Sequence, residues 1–232
     1  MILYDKLINE ILSLFPSDAK VFPYEKSSLG LADKNAILFA KDTAYELGGS
    51  QKSCVSTTVV SSDMTFDNSV YLYGKDIPQI KEDCLFCKIV LLEIEDIDEE
   101  TAFDKIKELE FVRYSTCPEG FMTRASALSM REQIRVSKKA VKDKVSFKDY
   151  GNLLVEKYLS FPIVKSVRII FATEFDDFDK LYLLCDKVKS TTSALNHILD
   201  NVLFDCSSCN LKEICDEVEG MKELHMKKAK ER

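Results

Sequence analysis

The 232-residue sequence predicts an α+β protein, a mostly antiparallel or mixed sheet with helices packed on it, followed by a cysteine-rich C-terminal appendage. Three observations carry this expectation. Short runs of β-branched and aromatic residues gather in the first hundred positions, and stretches with apolar residues three and four apart gather in the second hundred. In the last thirty residues cysteine and charge replace both patterns. At about 100–200 residues per domain the chain holds one large domain with a tail, divided at residues 1–200 and 201–232.

Residues Ile2 to Phe15 place Leu3, Leu7, Ile11 and Leu14 on one face with Asp5, Lys6, Asn9 and Glu10 between them, which predicts a helix ending before Pro16. A loop follows to about Asn35. Strands, largely antiparallel, are expected at Ala36–Phe39, Val55–Val60, Val70–Tyr73 and Leu85–Ile94, punctuated by Gly48-Gly49, Asp67-Asn68 and Gly74. Asp96-Ile-Asp-Glu-Glu-Thr opens a helix reaching Val112, since carboxylates favour the positive end of the helix dipole. Helices are then expected over Thr123–Lys142, Phe147–Leu159 and Asp177–Leu199, with a strand at Val167–Thr173. Asp216–Lys230 reads as a short charged helix.

Composition narrows the function classes. With 46% hydrophobic and 31% charged residues and only seven Gly, the chain has the balance of a folded globular protein. Its net charge of −7 repels a polyanion, so nucleic acid is not an expected partner. No apolar run approaches a bilayer span, and the start lacks the marks of a secretory signal, so a cytoplasmic location without membrane contact is expected. The phosphate-binding glycine loops, the nucleophile elbow of hydrolases and the zinc-protease helix motif do not occur.

Eight cysteines are many for a reducing compartment, where clustered thiols serve metal or catalysis more often than disulfides. Cys206, Cys209 and Cys215 have C-x2-C-x5-C spacing, which lets two thiolates of a turn face one centre while the third closes it. Four ligands are wanted by tetrahedral zinc and by iron–sulfur clusters alike. His225, ten residues past Cys215, is the candidate fourth, with Cys84, Cys87 and Cys117 as rivals. An iron–sulfur cluster of the [4Fe–4S] type, a zinc site, and thiols empty of metal all remain open on spacing alone. Cys84-Leu-Phe-Cys87 falls within an expected strand, where residues three apart face opposite ways, so both read as core, as do Cys54 and Cys185.

Charge is segregated. Glu93 to Glu110 form an acidic block, whereas Arg124, Arg131, Arg135, Lys138, Lys139, Lys142, Lys144 and Lys148 form a basic one. A basic face on an acidic protein can receive the phosphates of a nucleotide-like cofactor, although such runs are usually solvated helix faces.

Five short segments, Tyr45-Glu-Leu-Gly-Gly-Ser, Tyr73-Gly-Lys-Asp-Ile-Pro-Gln-Ile, Pro118-Glu-Gly, Ile134-Arg-Val-Ser-Lys-Lys-Ala-Val and Ser146-Phe-Lys-Asp-Tyr-Gly, have an order and spacing similar to one known family. From about residue 43 to 215 the chain resembles the middle region of acetyl-CoA synthase, the β subunit of the carbon monoxide dehydrogenase/acetyl-CoA synthase complex. That resemblance implies a body leading into a nickel–iron–sulfur site where acetyl-CoA forms from CO, a corrinoid-borne methyl group and CoA. It places Cys206 as an iron–sulfur ligand, Cys209 as the bridge to nickel, Cys215 as the next cluster ligand and His225 where the last cluster cysteine stands. It also implies CO dehydrogenase or a corrinoid protein of one-carbon metabolism as partner. From the charge pattern, the basic segment Arg124–Lys148, with Arg124, Arg131, Arg135, Lys138 and Lys139 in front, is expected to receive CoA or another phosphate-bearing partner.

The departures bear on activity. The Cys209–Cys215 gap is shorter than the family's, no later Cys-Gly-Cys is present to hold a second nickel, and the family's large N-terminal domain is not in these residues. There is no Trp, so Phe121 is the nearest substitute for the aromatic near the family's CoA region. The expectation is therefore an accessory acetyl-CoA-synthase-like protein, with nickel doubtful, rather than a complete synthase. The competing class is a non-enzymatic, zinc-stapled interaction module whose charged faces dock a partner protein.

Overall fold

The computed structural model describes residues 3–32, 43–48, 53–126, 130–199, 214 and 218. The expected strand Ala36–Phe39 and the charged tail helix lie outside these residues. The body is α+β with two sheets: a mixed one of five strands and an antiparallel one of three.

Helix α1 (Asp5–Leu14) buries Leu7, Ile8 and Ile11, the apolar stripe that three- and four-residue spacing creates. Each such side chain contributes about 1.5–3 kcal/mol when fully buried. The stripe packs on α5 (Phe178–Leu199), where the Tyr4 hydroxyl meets Thr192 Oγ1 at 2.9 Å.

The five-stranded sheet is built from β1 (Lys20–Pro23), β3 (Cys54–Ser61), β4 (Ser69–Tyr73), β5 (Phe86–Ile94) and β8 (Val164–Ala172), in the order β1-β4-β8-β5-β3. The β4–β8 and β5–β3 pairs are parallel; β1–β4 and β8–β5 are antiparallel. The sheet is thus mixed rather than largely antiparallel. Strand β5, inside that order, is buried along nearly its whole length, which fits its nearly continuous apolar sequence.

Helix α4 (Phe147–Leu159) lies against β4 and β8, its Phe147 and Tyr150 stacking on Phe86 and Phe171. Its start is fixed by a capping box: Ser146 Oγ accepts from Asp149 N at 3.1 Å, and Asp149 Oδ2 accepts from Ser146 N at 3.0 Å. Gly151 lets the helix approach closely, because a Cβ there would stand 2.4 Å from Val70 Cγ2. Asp76 caps two elements at once, its Oδ1 accepting from Ile77 N at 2.7 Å and from Phe147 N at 2.8 Å. Helix α5 contacts β3 and α1, and its Cys185 comes near Cys87 of β5. Helix α2 (Ala102–Ser115) contacts β3, α4 and α5; it begins after a 3-10 turn at Glu99–Thr101, several residues later than the acidic run suggests.

The largest correction concerns residues 123–142. The expected helix is instead an antiparallel pair, β6 (Phe121–Ser126) with β7 (Arg131–Ser137), and only Lys138–Lys142 forms a short helix, α3. The edge strand β2 (Ala44–Leu47) pairs with β7 to complete the order β2-β7-β6. In β7 alternate residues divide cleanly: Glu132, Ile134 and Val136 are buried, while Arg131 is exposed and Gln133 and Arg135 are half-buried. The two sheets are joined where Ser56 N donates to Met130 O at 2.9 Å.

Candidate functional site

The structure gathers four of the five family-like segments around the three-stranded sheet. Tyr45 and Glu46 pair in register with Val136 and Arg135. Ser137 N donates to Gly120 O at 2.9 Å, and Gly120, at φ +83°, sits so close to α3 that a Cβ would come within 2.9 Å of Ala140 Cβ. Tyr150, from the Ser146 segment, packs on Phe121 of β6 with ring centroids 5.3 Å apart. The fifth segment joins through the Asp76 cap on Phe147.

The basic residues occupy the outward side of this sheet and its end, not a single helical stripe. Arg131 is exposed on β7. Arg124 stands opposite Gln133 in the β6–β7 register. Arg135 is held by Glu46, with Nε and Nη2 each 2.9 Å from Oε2. The Lys138 ammonium lies 5.7 Å from the centroid of the Tyr45 ring, a cation–π contact. Lys139 lines a cleft of about 290 Å³ together with Ser28, Glu119 and Asp143. Lys148 pairs with Glu25 at 2.7 Å.

Beneath this face lies a feature that the sequence reading missed, a buried cluster of charged and polar side chains between the two sheets. Lys88 of β5 is fully buried, and its ammonium donates to Glu132, to Arg113 O at 3.0 Å and to Tyr150 Oη at 3.0 Å. All three of its protons therefore have acceptors. The other carboxylate oxygen of Glu132 accepts from Ser56 Oγ at 2.6 Å, and the Arg113 guanidinium lies 4.0 Å from it. Arg113 is 2% exposed, and its Nε and Nη1 have no hydrogen-bond partner among the described residues. Burial pulls the Lys88 ammonium below its ordinary value, with the Glu132 carboxylate resisting; burial also drives the Tyr150 phenol well up. A lone lysine inside the apolar run of β5 was the signal available in the sequence.

The cysteines divide by position. Cys54, Cys87 and Cys185 are buried, as expected for core thiols. Desolvation raises Cys87 well above its ordinary value and pushes Cys185 up to about 12, so both stay protonated near neutrality and are poor metal ligands. Cys84 departs from expectation: it precedes β5, is half-buried, and borders a cleft of about 440 Å³ with Lys75, Lys81 and Glu174. Cys117 is half-buried and donates to Phe121 O at 3.4 Å. Phe121 itself is 2% exposed, so it faces the core and not an incoming ligand. Among the described residues no group of three or more His, Cys, Asp and Glu side chains is placed to hold a metal ion. Cys206, Cys209, Cys215 and His225 lie outside the described residues. No helix among the described residues is long and apolar enough to cross a membrane.

The α+β body thus brings its five family-like segments together around one small sheet. Residues 33–178, well over half of the chain, match the family of the CO dehydrogenase/acetyl-CoA synthase complex beta subunit, and the protein belongs to that family. Members bind metal clusters and work within the CO dehydrogenase complex. No curated protein matches the chain.

Proposed function

We propose that this protein is an accessory acetyl-CoA-synthase-like protein of cytoplasmic, anaerobic one-carbon and acetyl-CoA metabolism. In this reading the tail carries an iron–sulfur cluster on Cys206, Cys209 and Cys215, and the body offers a basic face to a phosphate-bearing ligand such as CoA. The observation that carries it is the family match over 33–178 running toward the C-x2-C-x5-C segment. The body supports it indirectly, because burial keeps Cys87 and Cys185 protonated and the tail holds the closely spaced set. His225 is the proposed fourth ligand; its presence where the family pattern has a thiolate favours an accessory role over complete synthase chemistry. When bound, a cluster of this kind would supply electron transfer or a rigid fold for the tail.

The ligand side of the reading rests on Arg131, Arg135, Lys138 and Lys139, with Arg124 in register beside them. CO dehydrogenase or a corrinoid protein is the proposed partner. Anaerobic purification followed by iron, sulfide, zinc and nickel analysis tests the cluster. About four irons with matching sulfide, lost in a Cys206→Ser, Cys209→Ser and Cys215→Ser series, is the expected result. Zinc alone would replace this reading with the interaction module, and nickel with iron would extend it to synthase-like chemistry. Absence of iron and sulfide would end it. CoA should raise the melting temperature at low salt, where phosphate contacts are strongest.

A further inference from the structure

We propose that Ser56 and Glu132 are positioning residues that hold Arg131 outward as a preorganised anchor for the phosphates of the ligand. This rests on the basic-face reading above and adds to it which arginine leads and what orients it. Arg131 sits between two residues tied to β3. On one side, Met130 O accepts from Ser56 N at 2.9 Å. On the other, the Glu132 carboxylate accepts from Ser56 Oγ at 2.6 Å and from Lys88. One residue, Ser56, therefore fixes both neighbours of Arg131, through its backbone and through its side chain.

The local backbone needs such fixing. Met130 is a buried residue at φ +50°, a left-handed conformation that a non-glycine side chain adopts only when its surroundings enforce it. The register of β7 also decides which way Arg131 faces. A slip of one residue would turn Arg131 and Gln133 inward and carry Ile134 and Val136 out to solvent. Glu132 opposes that slip, because moving it outward would leave Lys88 and Arg113 as two buried cations without a carboxylate. Gly48 closes the arrangement from β2: a Cβ there would lie 3.3 Å from Glu132 O and 2.4 Å from Cys54 Cβ.

An exposed arginine on a floppy strand loses rotamer and backbone freedom when it binds an anion; one on a pinned strand has already lost the backbone share. The test uses the full chain, with CoA and, separately, inorganic pyrophosphate as probes in low-salt calorimetry, alongside amide exchange without ligand. Ser56→Ala keeps the ion pair and is the gentle variant; Glu132→Gln is the severe one and is read only if it folds. The expected result for Ser56→Ala is faster exchange at residues 130–133 and about three- to tenfold weaker binding, absent when Arg131 is already Ala. Equal affinity in Ser56→Ala, or the same loss with and without Arg131, would overturn the positioning role. So would binding by the unaltered protein that Arg131→Ala leaves untouched, although the basic-face reading would then survive on its other residues. If the unaltered protein binds neither probe, the basic-face reading fails, and the role of Ser56 falls with it.

Discussion

The two faces of β5 solve the same packing problem with opposite chemistry. The face carrying Cys87, Ile89 and Leu91 is apolar, and Cys87 there lies near Cys185 of α5, both thiols held protonated by burial. The face carrying Phe86 and Lys88 meets α4 and the three-stranded sheet, and there a lysine, a glutamate and an arginine are taken out of water together. An apolar layer tolerates sliding and repacking, whereas an ion cluster accepts only the partners that neutralise it. The side under the basic face is therefore the one whose partners are most narrowly specified.

The sharpest way to break the contrast is Glu132→Gln. It strands two buried cations and should cost about 3–5 kcal/mol, seen as a lowered denaturant midpoint. A loss under about 1 kcal/mol would mean that the cluster is hydrated and behaves like a surface pair.

Alkaline titration comes next and reads both faces. Cys87, Cys185, Tyr4, Tyr150 and Tyr158 all have raised values in the folded chain. Each contributes stability that is complete below its unfolded value, about 8.5 for a thiol and 10 for a phenol, and that is lost as pH rises beyond it. Lys88 acts in the opposite sense: with its folded value lowered, its unfavourable burial is relieved as pH rises toward the unfolded value of about 10.4. Stability should fall above about pH 8.5, and more steeply in Lys88→Met, which lacks the opposing group. A flat profile to pH 10.5 would contradict the assigned burial.

Cys87→Ser tests the apolar face alone, replacing a thiol with a hydroxyl that has no acceptor arranged for it, at about 1–3 kcal/mol. Arg113→Met should do least. It removes the surplus cation and two unpartnered donors and leaves Lys88 and Glu132 balanced, so a change between neutral and about 1 kcal/mol of stabilisation is expected by chemical denaturation. A cost of several kcal/mol would show that the guanidinium carries a structural load.

The same two faces explain what could be read in the sequence. Strands β3 and β5 are buried along nearly their whole length, so their β-branched runs announce them, and α1 and α4 show regular apolar stripes. Strand β7 is hidden because Arg131, Arg135, Lys138 and Lys142 recur every three or four residues, imitating a helical stripe. Its true alternation is interrupted where Glu132 replaces an apolar residue on the inward side. Strands β1 and β2 are four residues long, too short for a period-two pattern to stand out. The outward basic residues were legible as a charge run, but the pairing of Arg135 with Glu46 joins positions 89 apart and carries no local mark. Cys84 was misplaced because the run containing it continues into β5 without a break in hydrophobicity.

The carboxylate of Asp76 joins two distant parts of the chain. One oxygen completes the 3-10 turn beginning at Ile77 and also the first turn of α4, 71 positions further along. Closing a loop of that length is entropically slow to happen early, yet each doubling of length adds only about 0.6 kcal/mol. Asp76→Ala removes the shared acceptor of both turns, and the ratio of its effects on the folding and unfolding rates reads whether the two are already joined in the transition state.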